Sequence, residues 1–420
     1  MWTNPVIGRV VEWLVALAGL LVFAVGMLAE ASRGPGYDLV PLVAAGRLVA
    51  TGQASHLYGQ DELQYNRSGD QVFDEAASGT GFRQAPTPFV YPPLVAIALA
   101  PISAYSFTAI HSAWSWISVG LYALGIWLTI RVYLQEWNGP IALGAALFVA
   151  TFFEPVRYSF WLGQATALIF PLVIGAIALQ RRGRDASAAA LLAVAVFIKL
   201  TPAVLLASWI WRGPRRAVAW CVGWLTLLVT ASVGIAGVEL HREYINRIAA
   251  IGREVVVAYN NHTVLAWLSR PFFPRSEWFL FHTFVPPRAG TIGAILVLAS
   301  LIAAAWLALH AIAPGRPGRW RPASEALACL TPLLAGSIAW THYFVFTWPA
   351  IAVVLGEGGS LLRVVAIAAF LLVCRPMMMS QAGPDVAAGW LQIGLPTLVA
   401  LILWLTVVAM CRRMSATPSA

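Results

Sequence analysis

The sequence is poor in charge. Only 11% of its 420 residues are Asp, Glu, Lys or Arg, against 60% hydrophobic, and the mean hydropathy is +0.75. That balance excludes a water-soluble domain with a charged shell. Lysine is scarcer still: Lys199 is the only one, and every other basic residue is an arginine. The four cysteines, Cys221, Cys329, Cys374 and Cys411, lie within or at the ends of apolar runs without paired spacing, which argues against a disulfide framework or a zinc site. No internal repeat is visible, and no paired-carboxylate motif that would hold a nucleotide sugar, so no metal or other cofactor is demanded. The apolar runs are rich in Leu, Ala, Val and Trp and lack the alternation of barrel strands, so helices are expected in a membrane rather than a barrel.

Crossing a bilayer as helix takes about 20 apolar residues. Apolar runs occur near 10–29, 90–104, 110–133, 141–153, 165–179, 186–211, 217–236, 291–310, 325–335, 343–355, 361–373 and 390–410. They predict an all-α polytopic membrane protein, one unit over 1–420, with about 11–13 transmembrane or re-entrant helices. Glu12 interrupts the first run and no clean cleavage site follows, so it is expected to be a retained helix rather than a signal peptide. Runs 90–104 and 141–153 are short, so at least one is expected to be re-entrant. Run 186–211 is broken at Lys199-Leu200-Thr201-Pro202, where proline removes a backbone donor. Basic clusters flank that run, so it is expected to enter and return as a broken pair with Lys199 near the turn.

The net charge of +9 is spread over short connections, which fits membrane topology better than a nucleic-acid partner. Clusters at Arg181-Arg182-Gly183-Arg184, 212–216, 316–321 and Arg412-Arg413 are expected on the cytoplasmic side. Two polar stretches, 30–90 and 237–290, then fall outside. The first carries Asp61, Glu62, Asp70, Asp74 and Glu75 against Arg33, Arg47, Arg67 and Arg83, without the basic excess of a cytoplasmic loop. The second holds Leu240, Ile245, Ile248, Ile251 and Val255 at near-helical spacing, the pattern of an interfacial amphipathic helix.

Several polar residues map to that outer face. Asp38 follows the first helix in Gly34-Pro35-Gly36-Tyr37-Asp38; it is either an N-cap for a short helix beginning at Leu39 or a reactive carboxylate. Tyr91-Pro92-Pro93-Leu94 opens the second run, and Gly163-Gln164 opens another, just after Arg157 and Tyr158. Lys199 at membrane depth requires an anion, a carbonyl or water, unless it snorkels to a polar boundary. In Asn260-Asn261-His262-Thr263, with Arg270 beyond, the side chains suit sugar hydroxyls and phosphate, though helix capping and a glycosylation sequon at Asn261 are alternatives. In Trp340-Thr341-His342-Tyr343, His342 can titrate or bind phosphate, while the aromatics also suit an interfacial belt.

The order of these elements resembles glycosyltransferase family 87, membrane enzymes of the GT-C superfamily that use polyprenyl-phosphate-linked mannose. The resemblance rests on Asp38, Ala45-Gly46-Arg47, Leu57-Tyr58, Tyr91-Pro92-Pro93-Leu94, Gly163-Gln164, Lys199 with Pro202, Asn261 to Arg270, and Trp340-x-His342. It implies a GT-C-type helical bundle whose extracytoplasmic loops bear short interfacial helices. It also implies an inverting transferase that moves a sugar, mannose in the family, from a polyprenyl-phosphate donor to a lipid or glycan hydroxyl at the outer face of the cytoplasmic membrane. In that scheme Asp38 is the general base. His342, Arg270, Lys199 and Arg157 serve the donor phosphate, and Gln164, Asn261, Tyr91, Arg47, Tyr58 and Trp340 contact sugar or acceptor. Two features depart from the family pattern: Leu39, Val40, Pro41 and Leu42 follow Asp38 where aromatics are frequent, and Tyr343 stands where a second histidine is frequent.

A secondary transporter or flippase is the main alternative, since broken helices with polar groups at depth also build transporters. Transporters place coupling charges near the midplane, often in repeated halves, whereas these polar residues sit at loop junctions on one side. A non-catalytic scaffold for envelope-glycan assembly is the third reading. The expected partners are therefore a lipid-linked sugar donor, a lipid or glycan acceptor and the surrounding membrane lipids.

Overall fold

Each apolar run folds as helix where the sequence places it. The computed structural model of the chain describes residues 5–59, 68–82, 86–137, 139–212, 214–312, 320–374 and 386–416. Asp61, Glu62, Arg67, Arg83 and the Arg316 and Arg319 part of one basic cluster lie outside the described residues.

The chain begins with α1 (Pro5–Arg33), followed in the first polar stretch by α2 (Val40–Ala50) and α3 (Gln71–Ser78). Then come α4 (Pro93–Leu99), α5 (Phe107–Tyr133), α6 (Pro140–Ala150), α7 (Glu154–Leu162), α8 (Thr166–Arg181), α9 (Asp185–Ile198), α10 (Ala203–Arg212) and α11 (Arg215–Ala236). The second polar stretch contains α12 (Val238–Arg253), β1 (Val255–Val256), α13 (Val264–Ser269) and β2 (Thr283–Phe284), with β1 and β2 paired antiparallel. The C-terminal part is α14 (Arg288–Ile312), α15 (Trp320–Ala335), α16 (Thr347–Glu357), α17 (Ser360–Val373) and α18 (Val386–Ala416).

Among the described residues five helices are long and apolar enough to cross a membrane: Val6–Arg33, Phe107–Tyr133, Arg215–Ala236, Arg288–His310 and Gly389–Arg413. A sixth span arises if α6 and α7, bent by 66° at their junction, count as one. The remaining apolar runs form shorter helices. Run 90–104 yields the seven residues of α4 and a 3-10 turn, Ala100–Ile102, with Pro101 inside it. Run 186–211 breaks as expected, with α9 ending at Ile198 and α10 starting at Ala203.

Close packing of the long helices depends on small residues. α1 crosses α6 where Gly19 faces Gly144, and a Cβ on either would strike backbone of the other helix. Such approach lets helices in lipid gain dispersion contacts that bulkier side chains would prevent. One apolar cluster built from Phe23, Tyr122, Phe153 and Phe170 joins α1, α5, α8 and the α6–α7 junction. A second cluster, with Leu48, Leu57, Phe73 and Phe89, lies under the first polar stretch and fastens it to the bundle. α3 is capped by Asp70, whose carboxylate accepts from the Phe73 amide at 3.0 Å.

α12 has the expected amphipathic pattern and starts at Gly237, whose φ of 82° turns the chain away from α11. Tyr244, Ile248 and Ile251 line a cavity, while Ile245 is 62% exposed. Arg247 latches the helix to the first polar stretch by donating to the carbonyls of Tyr58 (2.9 Å) and Gly59 (2.7 Å).

Candidate active site

The cavity has a volume of about 730 Å³, within the range of about 300–1,000 Å³ typical of small-molecule sites. Its wall is drawn from the 34–39 turn, the 87–91 segment before α4, the C-terminal end of α7, the α9–α10 break, α12 and the two loops that meet at Asn261 and Trp340.

Asp38 is placed by its backbone. The chain leaves α1 through Gly34, which packs directly on the Trp161 backbone, and Gly36 takes a φ of 67°. The amide of Gly36 donates to the Trp161 carbonyl (3.3 Å) and that of Asp38 to the Leu162 carbonyl (3.0 Å). On the other side, α7 ends at Gly163 with a φ of 70°, a left-handed cap that glycine adopts without steric cost. The turn carries Gln164 back, so that its side-chain Nε2 donates to Oδ2 of Asp38 at 2.5 Å. Asp38 is not an N-cap: α2 begins at Val40, Leu39 occupies the cap position, and no side chain caps that helix.

The carboxylate is half-buried. Loss of water pushes its pKa up to about 6, against the lowering effects of the Gln164 hydrogen bond and the Lys199 charge. A carboxylate of that affinity can accept a proton near neutral pH. Lys199 and His342 line the same cavity. Among the described residues both buried ring nitrogens of His342 have no hydrogen-bond partner, and Lys199 Nζ lies 3.8 Å from the centroid of the Tyr343 ring. A carboxylate and cationic or hydrogen-bonding groups thus line one cavity, a geometry that can deprotonate a nucleophile and receive a departing anion.

Aromatic rings complete the wall. Tyr158 and Trp161, one turn apart on α7, stack at 5.7 Å with planes 7° apart, and Tyr37 meets Trp161 at 5.7 Å. Tyr158 also lies 6.5 Å from His342. Apolar faces of this kind suit the carbon face of a sugar ring or a lipid chain.

The sequence model of glycosyltransferase family 87 matches residues 89–337, more than half of the chain. This chain belongs to glycosyltransferase family 87. Among similar proteins is a polyprenol-phosphate-mannose-dependent alpha-(1-2)-phosphatidylinositol mannoside mannosyltransferase of Mycolicibacterium smegmatis. It is 26% identical over 63% of this chain and 61% of the relative's own length. Two polyprenol-phosphate-mannose-dependent alpha-(1-2)-phosphatidylinositol pentamannoside mannosyltransferases are also similar. The Mycobacterium tuberculosis protein is 26% identical over 74% of this chain and 68% of its own length. The one from M. smegmatis is 28% identical over 74% of this chain and 72% of its own length.

Within this family member, the residues singled out from sequence divide by position. Asp38, Gln164, Lys199, His342, Tyr91 and Trp340 line the cavity. The other five are held elsewhere. Arg157 pairs with Glu30 at 2.9 Å and Glu154 at 3.6 Å, tying α7 to α1. Arg47 donates to the carbonyls of Ser103 and Tyr105. Tyr58 donates to the Tyr91 carbonyl at 2.6 Å and so fixes the backbone of a cavity residue. Arg270, fully buried, donates to the carbonyls of Val257, Ala258 and Asn261 and organises the second polar stretch.

Asn261 is also fully buried, and its amide bonds to Val256, Ser337 and Ala339 backbone, joining the two loops that meet at the Asn261–Trp340 bridge. A side chain so enclosed is not presented to a glycosylating enzyme. Thr263 caps α13 by accepting from the Ala266 amide at 3.1 Å. The neighbouring Asn260 is the residue that faces the cavity; its Nδ2 reaches the Tyr158 hydroxyl at 3.4 Å, and its buried Oδ1 has no partner among the described residues. Sequence reasoning marked the Asn260-Asn261 pair but chose the other member. It also passed over Tyr37, Trp161, Tyr244 and Phe281, although Tyr37 adjoins Asp38 and the 158/161 spacing puts two aromatics on one helix face.

Proposed function

We propose that the cavity transfers mannose from a polyprenyl-phosphate donor to a hydroxyl of a glycolipid, with inversion and with Asp38 as general base. The observation that carries this reading is the Asp38 carboxylate on the cavity wall. One of its oxygens is engaged by Gln164, and Lys199 and His342 line the same space. The acceptor hydroxyl gives its proton to Asp38 while its oxygen forms a bond to the anomeric carbon. The bond from that carbon to the phosphate oxygen breaks, and its electron pair leaves on the phosphate, which Lys199 and His342 stabilise. Attack opposite the leaving group converts a β-linked donor into an α-linked product, in keeping with the alpha linkage named for the similar mannosyltransferases. Gln164 and Asn260 serve as hydrogen-bonding groups around the sugar and base, and the apolar wall takes the first units of the lipid.

Helix direction supports an orientation. α8 begins beside Gln164 and ends at Arg181, and its 16 residues span about 24 Å at about 1.5 Å per residue. α9 starts just after Arg184 and ends at Ile198, next to Lys199, and α11 runs from Arg215 and Arg216 toward α12 over the cavity. The basic ends thus lie away from the cavity, which supports a cytoplasmic location for them and an outer-face site in a single catalytic unit. The test is incubation of purified protein with polyprenyl-phosphate mannose and a phosphatidylinositol mannoside, followed by mass analysis. Addition of one hexose supports the reading; a gradient-dependent movement of unmodified substrate instead supports a transporter.

A further inference from the structure

The cavity brings together an ammonium and a carboxylate that do not meet. Lys199 sits where α9 stops, its backbone amide still bonded to the Ala195 carbonyl at 2.9 Å. Asp38 lines the same cavity, and in a low-dielectric space the two charges attract strongly. Yet Lys199 and Asp38 form no ion pair among the described residues. The ammonium lies instead over the face of Tyr343, 3.8 Å from the ring centroid, well inside the reach of a cation–π contact of about 6 Å. Tyr343 is itself fixed in a 3-10 turn, Thr341–Phe346, whose neighbouring His342 ring meets it edge-on at 4.6 Å.

We infer that Tyr343 is a positioning residue: its ring face seats the Lys199 ammonium and keeps it out of contact with the Asp38 carboxylate, so that cation and base act on different parts of the substrates. This rests on the reading of Asp38 as the base and Lys199 as a phosphate-facing cation. A lysine released from the ring pairs with Asp38. The paired carboxylate binds its proton less tightly and is a weaker base, and the leaving phosphate loses its cation. The titratable groups around Asp38 are Lys199 from the helix break, Tyr91 at the start of α4, Tyr158 on α7 and His342 beyond Tyr158. His111 of α5 packs behind the turn, against Gly36 and Gly163. Of these, Lys199 is the group whose positive charge acts on Asp38.

The experiment compares Tyr343→Phe and Tyr343→Leu in the full chain in detergent, by infrared titration of the Asp38 carboxyl, assigned by subtraction of Asp38→Asn, and by pH–rate profiles. Tyr343→Phe keeps the ring and retains most of kcat. Tyr343→Leu lowers kcat about tenfold or more, and the Asp38 titration moves down from about 6 by roughly one unit as Lys199 pairs with it. In the Lys199→Met background, Tyr343→Leu moves the titration no further. A Tyr343→Leu protein that titrates as wild type, a Phe variant as impaired as the Leu variant, or a shift that persists without Lys199 overturns the inference. If Tyr343→Leu does not fold, Tyr343→Met carries the same expectations. The infrared titration needs no turnover, so a wrong assignment of Asp38 as base appears separately, as transfer activity retained in Asp38→Asn.

Discussion

Gln164 donates its side-chain amide to the Asp38 carboxylate, a contact between residues 126 positions apart in the chain. Both sides of the contact are built by glycine. Gly36 turns the chain after α1, and the left-handed Gly163 ends α7 so that Gln164 comes back over the cavity. The hydrogen bond stabilises the ionised acid and aims one oxygen away from the amide, so it bears on both the protonation and the direction of the base.

Removing that donor moves the proton equilibrium upward. In Gln164→Leu the lowering influence on Asp38 is lost, so its pKa rises above about 6, by about one to two units if the hydrogen bond to the charged group is worth about 1.5–3 kcal/mol. The acid limb of the pH–rate profile moves to higher pH, and turnover near pH 6 falls more than turnover near pH 8. A profile that keeps its midpoint and loses only amplitude places the role of Gln164 in sugar contact.

Asp38 also affects stability, with a definite sign. Its folded pKa of about 6 lies above the value of 3.8 for a free carboxyl, so the folded state holds the proton more tightly than the unfolded state. That contribution is fully present below about pH 4 and is lost as pH rises through about 6. Above pH 7 the ionised group costs the fold up to about 3 kcal/mol, at about 1.36 kcal/mol per unit. Asp38→Asn is therefore expected to melt higher than wild type at pH 8 and to lose that advantage at pH 4, as followed by thermal unfolding in detergent.

Lys199 and Arg270 separate chemistry from architecture. Lys199→Met removes a cavity charge, and its kcat falls about 10²–10³-fold, the scale of a lost transition-state stabiliser, while the melting temperature holds. Arg270→Met leaves three buried carbonyls without their donor, at about 1–3 kcal/mol for each. Its melting temperature and folded yield fall, and the KM of the folded fraction is unchanged. Thermal melts paired with initial-rate kinetics on both variants check this contrast.

The sequence legibly marked what depends on long apolar runs and on proline. The long spans, the break at Lys199-Leu200-Thr201-Pro202 and the amphipathic α12 all follow from periodicity summed over many residues. The helix α3 escaped because it is short and lies inside a polar stretch, where tertiary packing makes it helical. In the cavity, residue type identified Asp38 and Lys199, since a lone acid after a first span and a lone lysine in an apolar run are both unusual. It did not separate Asn260 from Asn261 or a cavity cation from Arg270. One donor-rich side chain looks like another until the backbone carbonyls that occupy it are known. Long-range pairs such as Arg157 with Glu30 are beyond the reach of spacing arguments.

The most direct measurement is sugar transfer by purified Asp38→Asn beside wild type, with polyprenyl-phosphate mannose and a phosphatidylinositol mannoside, without any ion gradient, read by mass of the product. The account predicts one added hexose from wild type and no product from a folded Asp38→Asn protein. Full turnover by Asp38→Asn contradicts the assignment of the base.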